Sequence, residues 1–148
     1  MPRFFPVLFL LLLALPSCSD PDPITRCVID RVEVLEVDEN YFDDTIDEGA
    51  PDLFAELRVA DTQAILYTSG VADEAVLPVD LDFVAVNIEA EDFETVYEFT
   101  VFDEDVATTQ DFIAVGLAFK VGDHVAEESP EVDITDGATT IRVHLIWY

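Results

Sequence analysis

Residues 94–113 read ETVYEFTVFDEDVATTQDFI, and this stretch decides the fold. Tyr97, Phe99 and Val101 alternate with Glu98 and Thr100. Successive side chains of a strand point to opposite faces, so a period of two describes a strand with one dry face and one wet face. The strand runs into an acidic turn from Asp103 to Asp111. A second strand follows from Phe112 to Val121, in which Gly116 marks a bulge.

The same period recurs on both sides. Residues 27–37, CVIDRVEVLEV, are rich in β-branched residues and place Val28, Val32 and Val34 on one side. An acidic loop, DENYFDDTIDEGAPD, ends at Asp52. Leu53, Ala55, Leu57 and Val59 then alternate with Phe54, Glu56 and Arg58. Asp61-Thr62 reads as a turn, Gln63 to Thr68 as a return strand, and Ser69-Gly70 as a break. Leu77 to Ile88 carries one or two strand segments around Asp80 and Asp82. The polar stretch 122–137, with Pro130 inside, reads mostly as loop. Ile141, Val143, Leu145 and Trp147 alternate with Arg142 and His144 in a final strand. No stretch has a helical period; the best candidate, Val71 to Val76, is short and stops at Leu77-Pro78. Seven or eight short strands at even spacing predict an all-β antiparallel sandwich.

The composition excludes several functions. The chain has 148 residues, with 33 acidic against 6 basic side chains and a net charge of −27. A hydrophobic content of 51% is too high for an acidic disordered chain. The charge excludes a nucleic-acid grip, which needs Lys and Arg on phosphates, and simple electrostatic docking onto anionic lipid. The length suits one domain with a proper core, and two Cys make no disulfide framework.

Residues 1–17, MPRFFPVLFLLLLALPS, have a basic start at Arg3 and an apolar run from Phe4 to Leu15. That is the length of a signal-peptide core, short of a membrane span. Leu15-Pro16-Ser17-Cys18 follows, and it resembles the lipobox of bacterial lipoproteins, in which the Cys is lipidated and becomes the first mature residue. The expected organisation is a signal peptide over 1–17, a tether on lipidated Cys18 over 18–27, and the sandwich over 28–148. Cleavage leaves 131 residues, with 5 basic against 33 acidic side chains and a net charge of −28. Ser19 to Pro23, SDPDP, would hold the tether extended. Cys27 opens an apolar stretch and reads as a buried structural thiol. Lys120 is the sole lysine; many Asp and few Lys resemble the bias of salt-in halophilic bacteria. The resulting location is a bacterial cell envelope, facing periplasm or exterior.

Catalysis finds no support. Neither His124, in a loop, nor His144, on the outer face of the last strand, lies in a nucleophile motif. No Cys/His spacing suits zinc, and no glycine loop suits phosphate. Carboxylate pairs can be drawn anywhere among 33 acids, so their abundance carries no signal.

The turn VFDEDVATTQDFI, residues 101–113, has a more specific form. A strand end delivers Asp103 and Asp105, and Asp111 opens the next strand. Hard cations such as Ca²⁺ take several carboxylate and carbonyl oxygens from a bent loop. The acid and Gly that an EF-hand needs after Asp105 are missing. The segment resembles the third calcium-binding loop of C2 domains, V-x-D-x-D-x5-D-x-I, met here by Val101, Asp103, Asp105, Asp111 and Ile113, with Thr108 where a hydroxyl ligand is often supplied. Asp52-Leu53-Phe54-Ala55 occupies the place of the D-P-Y-V-like strand start after the first loop, with Asp47 and Gly49 upstream. Departures are Leu53 for Pro, a first loop one residue short, Ala114 for Gly, and no Lys or Arg in 63–70 where many C2 domains carry a lysine-rich strand.

The resemblance implies an eight-stranded C2-like sandwich that holds Ca²⁺ through Asp47, Asp52, Asp103, Asp105 and Asp111, with Thr108 beside them. It implies Ca²⁺-dependent binding or adhesion to a lipid headgroup or an envelope protein, or a metal that simply stiffens the loops; the lack of a catalytic constellation argues against an enzyme. The competing expectation is a metal-free structural or adaptor lipoprotein whose acidic loops are solvated surface and which contacts envelope proteins through a sheet edge.

Overall fold

Two bulges in the first strand set the phase of the core. The computed structural model describes residues 22–38, 50–104 and 111–148. Cys18, Asp47, Asp105 and Thr108 lie outside them, as do residues 1–17 and the first part of the expected tether. Strand β1 spans Arg26–Glu36 and pairs with the last strand, β9, Thr139–Trp147. Their register slips by one residue at Asp30 and again at Leu35. Each slip inserts an unpaired residue and reverses which face the following side chains occupy. Cys27 and Ile29 therefore face the core, then Val32 and Val34, then Val37. This corrects the expected grouping of Val28 with Val32 and Val34: Val28 precedes the first bulge and stands on the opposite face from them. Burial pushes the Cys27 thiol up to about 12, so it stays protonated and inert.

The remaining strands are β2 (Leu53–Val59), β3 (Ile65–Thr68), β4 (Val79–Leu81), β5 (Val86–Glu89), β6 (Tyr97–Asp103), β7 (Asp111–Phe119) and β8 (Glu131–Asp136). Every pairing is antiparallel. One sheet has the order β4-β1-β9-β8, with β5 also on β1; the other has the order β3-β2-β6-β7. Among the described residues nine strands thus stand where eight are expected, and the reason is local. β4 pairs with Val32–Val34 and β5 with Arg26–Ile29, so both lie in line along one edge of β1 and fill a single strand position. Between them the chain leaves the ladder and buries Phe83, which packs on Tyr67 at 4.5 Å and Phe99 at 6.2 Å between ring centroids.

The dry faces meet as the alternation requires. Leu53, Ala55 and Leu57 of β2 and Phe99 and Val101 of β6 are fully buried against Ile141 and Val143 of β9. Full burial of a side chain such as Phe99 stabilises the fold by roughly 1.5–3 kcal/mol. Gly116 has φ +77°, and the β6–β7 register slips between Phe99 and Val101, so the expected bulge is present. Two strand bounds and one loop are corrected. β1 begins at Arg26, so the last two residues of the expected tether belong to the sandwich. The return strand starts at Ile65, after Gln63 turns at φ +56°. The stretch expected to be mostly loop holds β8, EVDITD, held to β9 by Arg142–Asp133 and Thr135–Thr140 hydrogen bonds.

The sandwich has two distinct ends. At one, Thr25 N–H donates to Tyr148 C=O at 2.7 Å, and the Arg26 guanidinium lies 4.3 Å from the centre of the Tyr148 ring. Phe93, just ahead of β6, packs edge-on against Trp147 there. The start of β2, the end of β6 and the start of β7 therefore lie at the opposite end.

Candidate metal centre

Three aspartate positions are neighbours in the backbone at that opposite end because three adjacent strands start or stop there. Asp103 ends β6, with Leu53 on one side and Asp111 on the other as its Cα partners. Facing residues of an antiparallel pair are about 4.5–5.5 Å apart between Cα atoms, so the register sets Asp52, Asp103 and Asp111 across roughly two strand spacings.

Backbone donors hold two of the carboxylates. Asp52 N–H donates to Asp103 Oδ1 at 2.8 Å. Asp52 Oδ1 in turn accepts from Glu74 N–H at 2.6 Å, and Glu104 N–H reaches Asp52 C=O at 2.9 Å. Glu74 arrives by a long-range route: Ala72 bridges Leu53, and Ala75 N–H bonds Pro51 C=O. The turn needs Glu74 at φ +47°. The end of the first acidic loop, at Pro51 and Asp52, is thus braced from the loop after β3, a contact with no signal in the sequence because it depends on that bridge.

Of the expected ligands, the structure brings Asp52 and Asp103 into direct contact and sets the Asp111 backbone opposite Asp103. Asp47, Asp105 and Thr108 lie outside the described residues. Among the described residues, no group of three or more His, Cys, Asp or Glu side chains could hold a metal ion. The groups placed here are carboxylates, each held by a backbone N–H group, and carboxylate oxygens suit Ca²⁺ rather than a soft metal. A cation here would draw on Asp52, Asp103 and the acids of the two loops.

A second polar group lies on the outer face of the five-stranded sheet. His144, with 13% of its side chain exposed, has Nε2 3.1 Å from Glu33 Oε2 and Nδ1 3.4 Å from Glu131 Oε1. An Arg31 guanidinium nitrogen lies 3.0 Å from His144 Nε2, and the Arg31 side chain also pairs with Glu33 and Asp80. Arg142 pairs with Asp133 and Glu131. The two arginines are already matched by carboxylates, so this face is no ready anion site. Nothing local in the sequence hints at this network, since it depends on the β1–β9 register.

The His144 hydrogen bond, with Arg31 adding to it, holds the Glu33 carboxyl below its ordinary range. A carboxyl lowered in the folded state stabilises above its unfolded value near 4.5 and loses that contribution as pH falls through the folded value. Protonating the other acids relieves repulsion and acts in the opposite direction. The difference between wild type and Glu33→Gln isolates the local effect: wild type should be the more stable by up to about 1 kcal/mol at neutral pH. That advantage should shrink in denaturant melts as pH falls below 4.5 and vanish once it is below the folded value. An advantage that persists at low pH would show that the carboxylate charge is not its source.

Comparisons with known proteins bear on the architecture. No family model matches the sequence, and no curated protein matches it. Solved structures do. The first C2 domain of plant extended synaptotagmin 1 superposes with a TM-score of 0.53 at 14% identity, covering 87% of this chain and 96% of that one. The sandwich has the C2 fold. The paired C2 domains of extended synaptotagmin 2, solved with calcium bound, give a TM-score of 0.53 at 19% identity over 86% of this chain. Human GIVD cytosolic phospholipase A2, solved with a fluorophosphonate inhibitor and terbium chloride, gives 0.56 at 14% identity over 84% of this chain. This chain spans 46% of that synaptotagmin chain and 17% of the phospholipase, so their likeness lies in one C2-like sandwich and not in a catalytic domain. At these identities the likeness speaks for the fold.

Proposed function

We propose that this chain is a calcium-binding C2-like module, not an enzyme, held at a bacterial cell envelope by lipidated Cys18. The observation that carries the reading is the Asp52–Asp103 hydrogen bond at one end of a C2 fold, both carboxylates pinned by backbone N–H groups, with the Asp111 backbone on the neighbouring strand end. Calcium bound among them bridges to an anionic group on another surface, a lipid headgroup foremost. A calcium-bound C2 neighbour supports the same reading.

The ends of the sandwich give the bridge a direction. The chain enters the fold at Thr25, beside Tyr148, and the aspartates lie at the far end. Seven residues from Cys18 to Thr25 reach at most about 25 Å, while the 11 residues of β1 span about 35 Å. The acidic end of a relaxed, anchored domain therefore points away from its own membrane, and contact is made in trans.

Lipidated protein in phosphatidylcholine vesicles, mixed with a second population containing phosphatidylglycerol, tests this. Calcium should cluster the two populations, a chelator should disperse them, and Asp103→Asn should prevent clustering. In cells, Cys18→Ala should move the protein to the soluble fraction. Absence of clustering while the protein stays membrane-bound sinks the calcium bridge. A wild-type protein recovered wholly soluble sinks the anchor.

A further inference from the structure

The edges of the two sheets differ in character. β7 and β8 run alongside one another across the sandwich. β8 carries Glu131, Asp133 and Asp136, and the β4–β5 edge carries Asp80 and Glu89. Charged side chains of this kind discourage a further strand. β3 is the exception. It reads ILYT, bears no charge, and leaves Ile65 52% and Leu66 44% exposed. Val71 follows it at 39% exposed, and Val84 at 62% is brought beside it by the Phe83–Tyr67 ring contact. Among the described residues no strand pairs with the outer side of β3; only the Asp82 carbonyl lies against it, accepting from Gly70 N–H just beyond its end.

The backbone of this edge is poised to accept a strand. Ser69 N–H donates to Ala55 C=O at 2.9 Å, and Thr68 stands opposite Glu56. Ladder groups alternate in direction from residue to residue, so the Thr68 N–H and C=O face outward.

The charge around the edge is of one sign. The 61 residues between Arg58 and Lys120 contain no Lys or Arg. Asp61 lies just before β3, Asp73 just after it, and Asp82 C=O accepts from Gly70 N–H at 3.1 Å beside it. A second copy of this chain would bring a like charge of −27 to these acids.

We propose that the β3 edge docks an extended peptide segment of a partner protein, with alternating apolar and basic side chains, as an added strand of the four-stranded sheet. Main-chain hydrogen bonds to Thr68 supply the pairing, and apolar side chains cover Ile65, Leu66 and Val84. Lys or Arg on the other face of the segment meets Asp61, Asp73 and Asp82, which sets partner choice and rate of encounter. The inference is independent of calcium.

Fluorescence anisotropy of the purified full chain with labelled peptides tests it. The probes are KVKVKVK and, as control, EVEVEVE. The basic probe should bind at least about tenfold tighter. Thr68→Pro keeps the native ladder, because the lost N–H faces outward, yet removes a donor and sets a ring in the path of the added strand. It should weaken the basic probe by about tenfold, while Thr68→Val leaves binding unchanged. Leu66→Lys, at an exposed position, should weaken it as well and serves if the proline variant folds poorly. Basic-probe binding indifferent to both substitutions reduces the effect to general charge attraction and overturns the proposal. A dimer in light scattering that Thr68→Pro dissolves, with no probe binding, overturns it in favour of a second copy.

Discussion

Raising NaCl from about 0.1 M to 2 M should lift the melting temperature of this domain by about 10 °C, equivalent to roughly 2–3 kcal/mol for a domain of this size. After residue 17 the chain carries a net charge of −28, with five basic side chains remaining. The structure shows where they go. Arg31, Arg58, Lys120 and Arg142 are each in ion pairs, and Arg26 lies over the Tyr148 ring. Of the 14 acids between Arg58 and Lys120, Arg31 reaches Asp80 and Lys120 reaches Glu94. Five cations cannot neutralise 33 acids, whichever pairs they form. The remaining repulsion acts across the surface and opposes the compact state. The Debye length falls from about 10 Å at 0.1 M to about 3 Å at 1 M, below the typical spacing of surface charges. Salt also weakens the exposed ion pairs, but each is worth at most about 1 kcal/mol, so relief of repulsion dominates. Scanning calorimetry in NaCl and KCl, with sucrose as a control for general exclusion, checks it. A melting temperature flat across the salt range would show that the acids do not repel enough to matter, and the halophile-like reading of the composition would lose its physical content.

How much could be read in advance depends on whether a feature is local. β6 and β9 are legible because each alternates strictly over five residues, from Tyr97 to Val101 and from Ile141 to Leu145. β8 is not, because Val132 and Ile134 stand alone among acids and its stability comes from pairs with β9 such as Asp133–Arg142. The bulges at Asp30 and Leu35 are properties of the β1–β9 pairing, and no pattern within β1 announces them. The split of one strand position into β4 and β5 follows from the inward turn of Phe83, which reads like any other apolar residue near a turn. At the candidate site, Asp52 and Asp103 are legible because each sits where an alternating strand begins or ends. Glu74 is not, because it reaches Asp52 only through the Leu53–Ala72 bridge. The Arg31–His144–Glu33 network joins residues more than a hundred positions apart and depends on register alone.

Calcium should raise the melting temperature well beyond what NaCl of equal ionic strength achieves. Aspartates placed on adjacent strand ends, with facing Cα atoms about 5 Å apart, bring like charges near one another, and a divalent cation among them would turn that repulsion into attraction. Extracellular calcium modules bind at about 10⁻⁴–10⁻³ M, and the shortened first loop, with Leu53 in place of Pro, suits that weak range. At a hundredfold excess over the dissociation constant the stabilisation is about 2.7 kcal/mol, or about 10 °C here. Mg²⁺ should compete poorly, since it demands a compact octahedron and holds its water tightly. Asp103→Asn is the informative variant. The amide keeps an oxygen to accept the Asp52 N–H, so the brace between the two loops survives while the charge is lost. Without calcium the variant should therefore be as stable as wild type or slightly more so, because one repelling charge is gone. With calcium it should lose most of the gain, and combining it with Asp105→Asn should abolish it. Asp20→Asn with Asp22→Asn, in the tether, should change neither. A variant destabilised without calcium would point to a structural role for the Asp103 charge. Calorimetry decides the remainder: no calcium-specific heat up to several times about 10⁻³ M, or an Asp103→Asn protein that titrates like wild type, would leave Asp52, Asp103 and Asp111 as solvated surface and the calcium reading wrong.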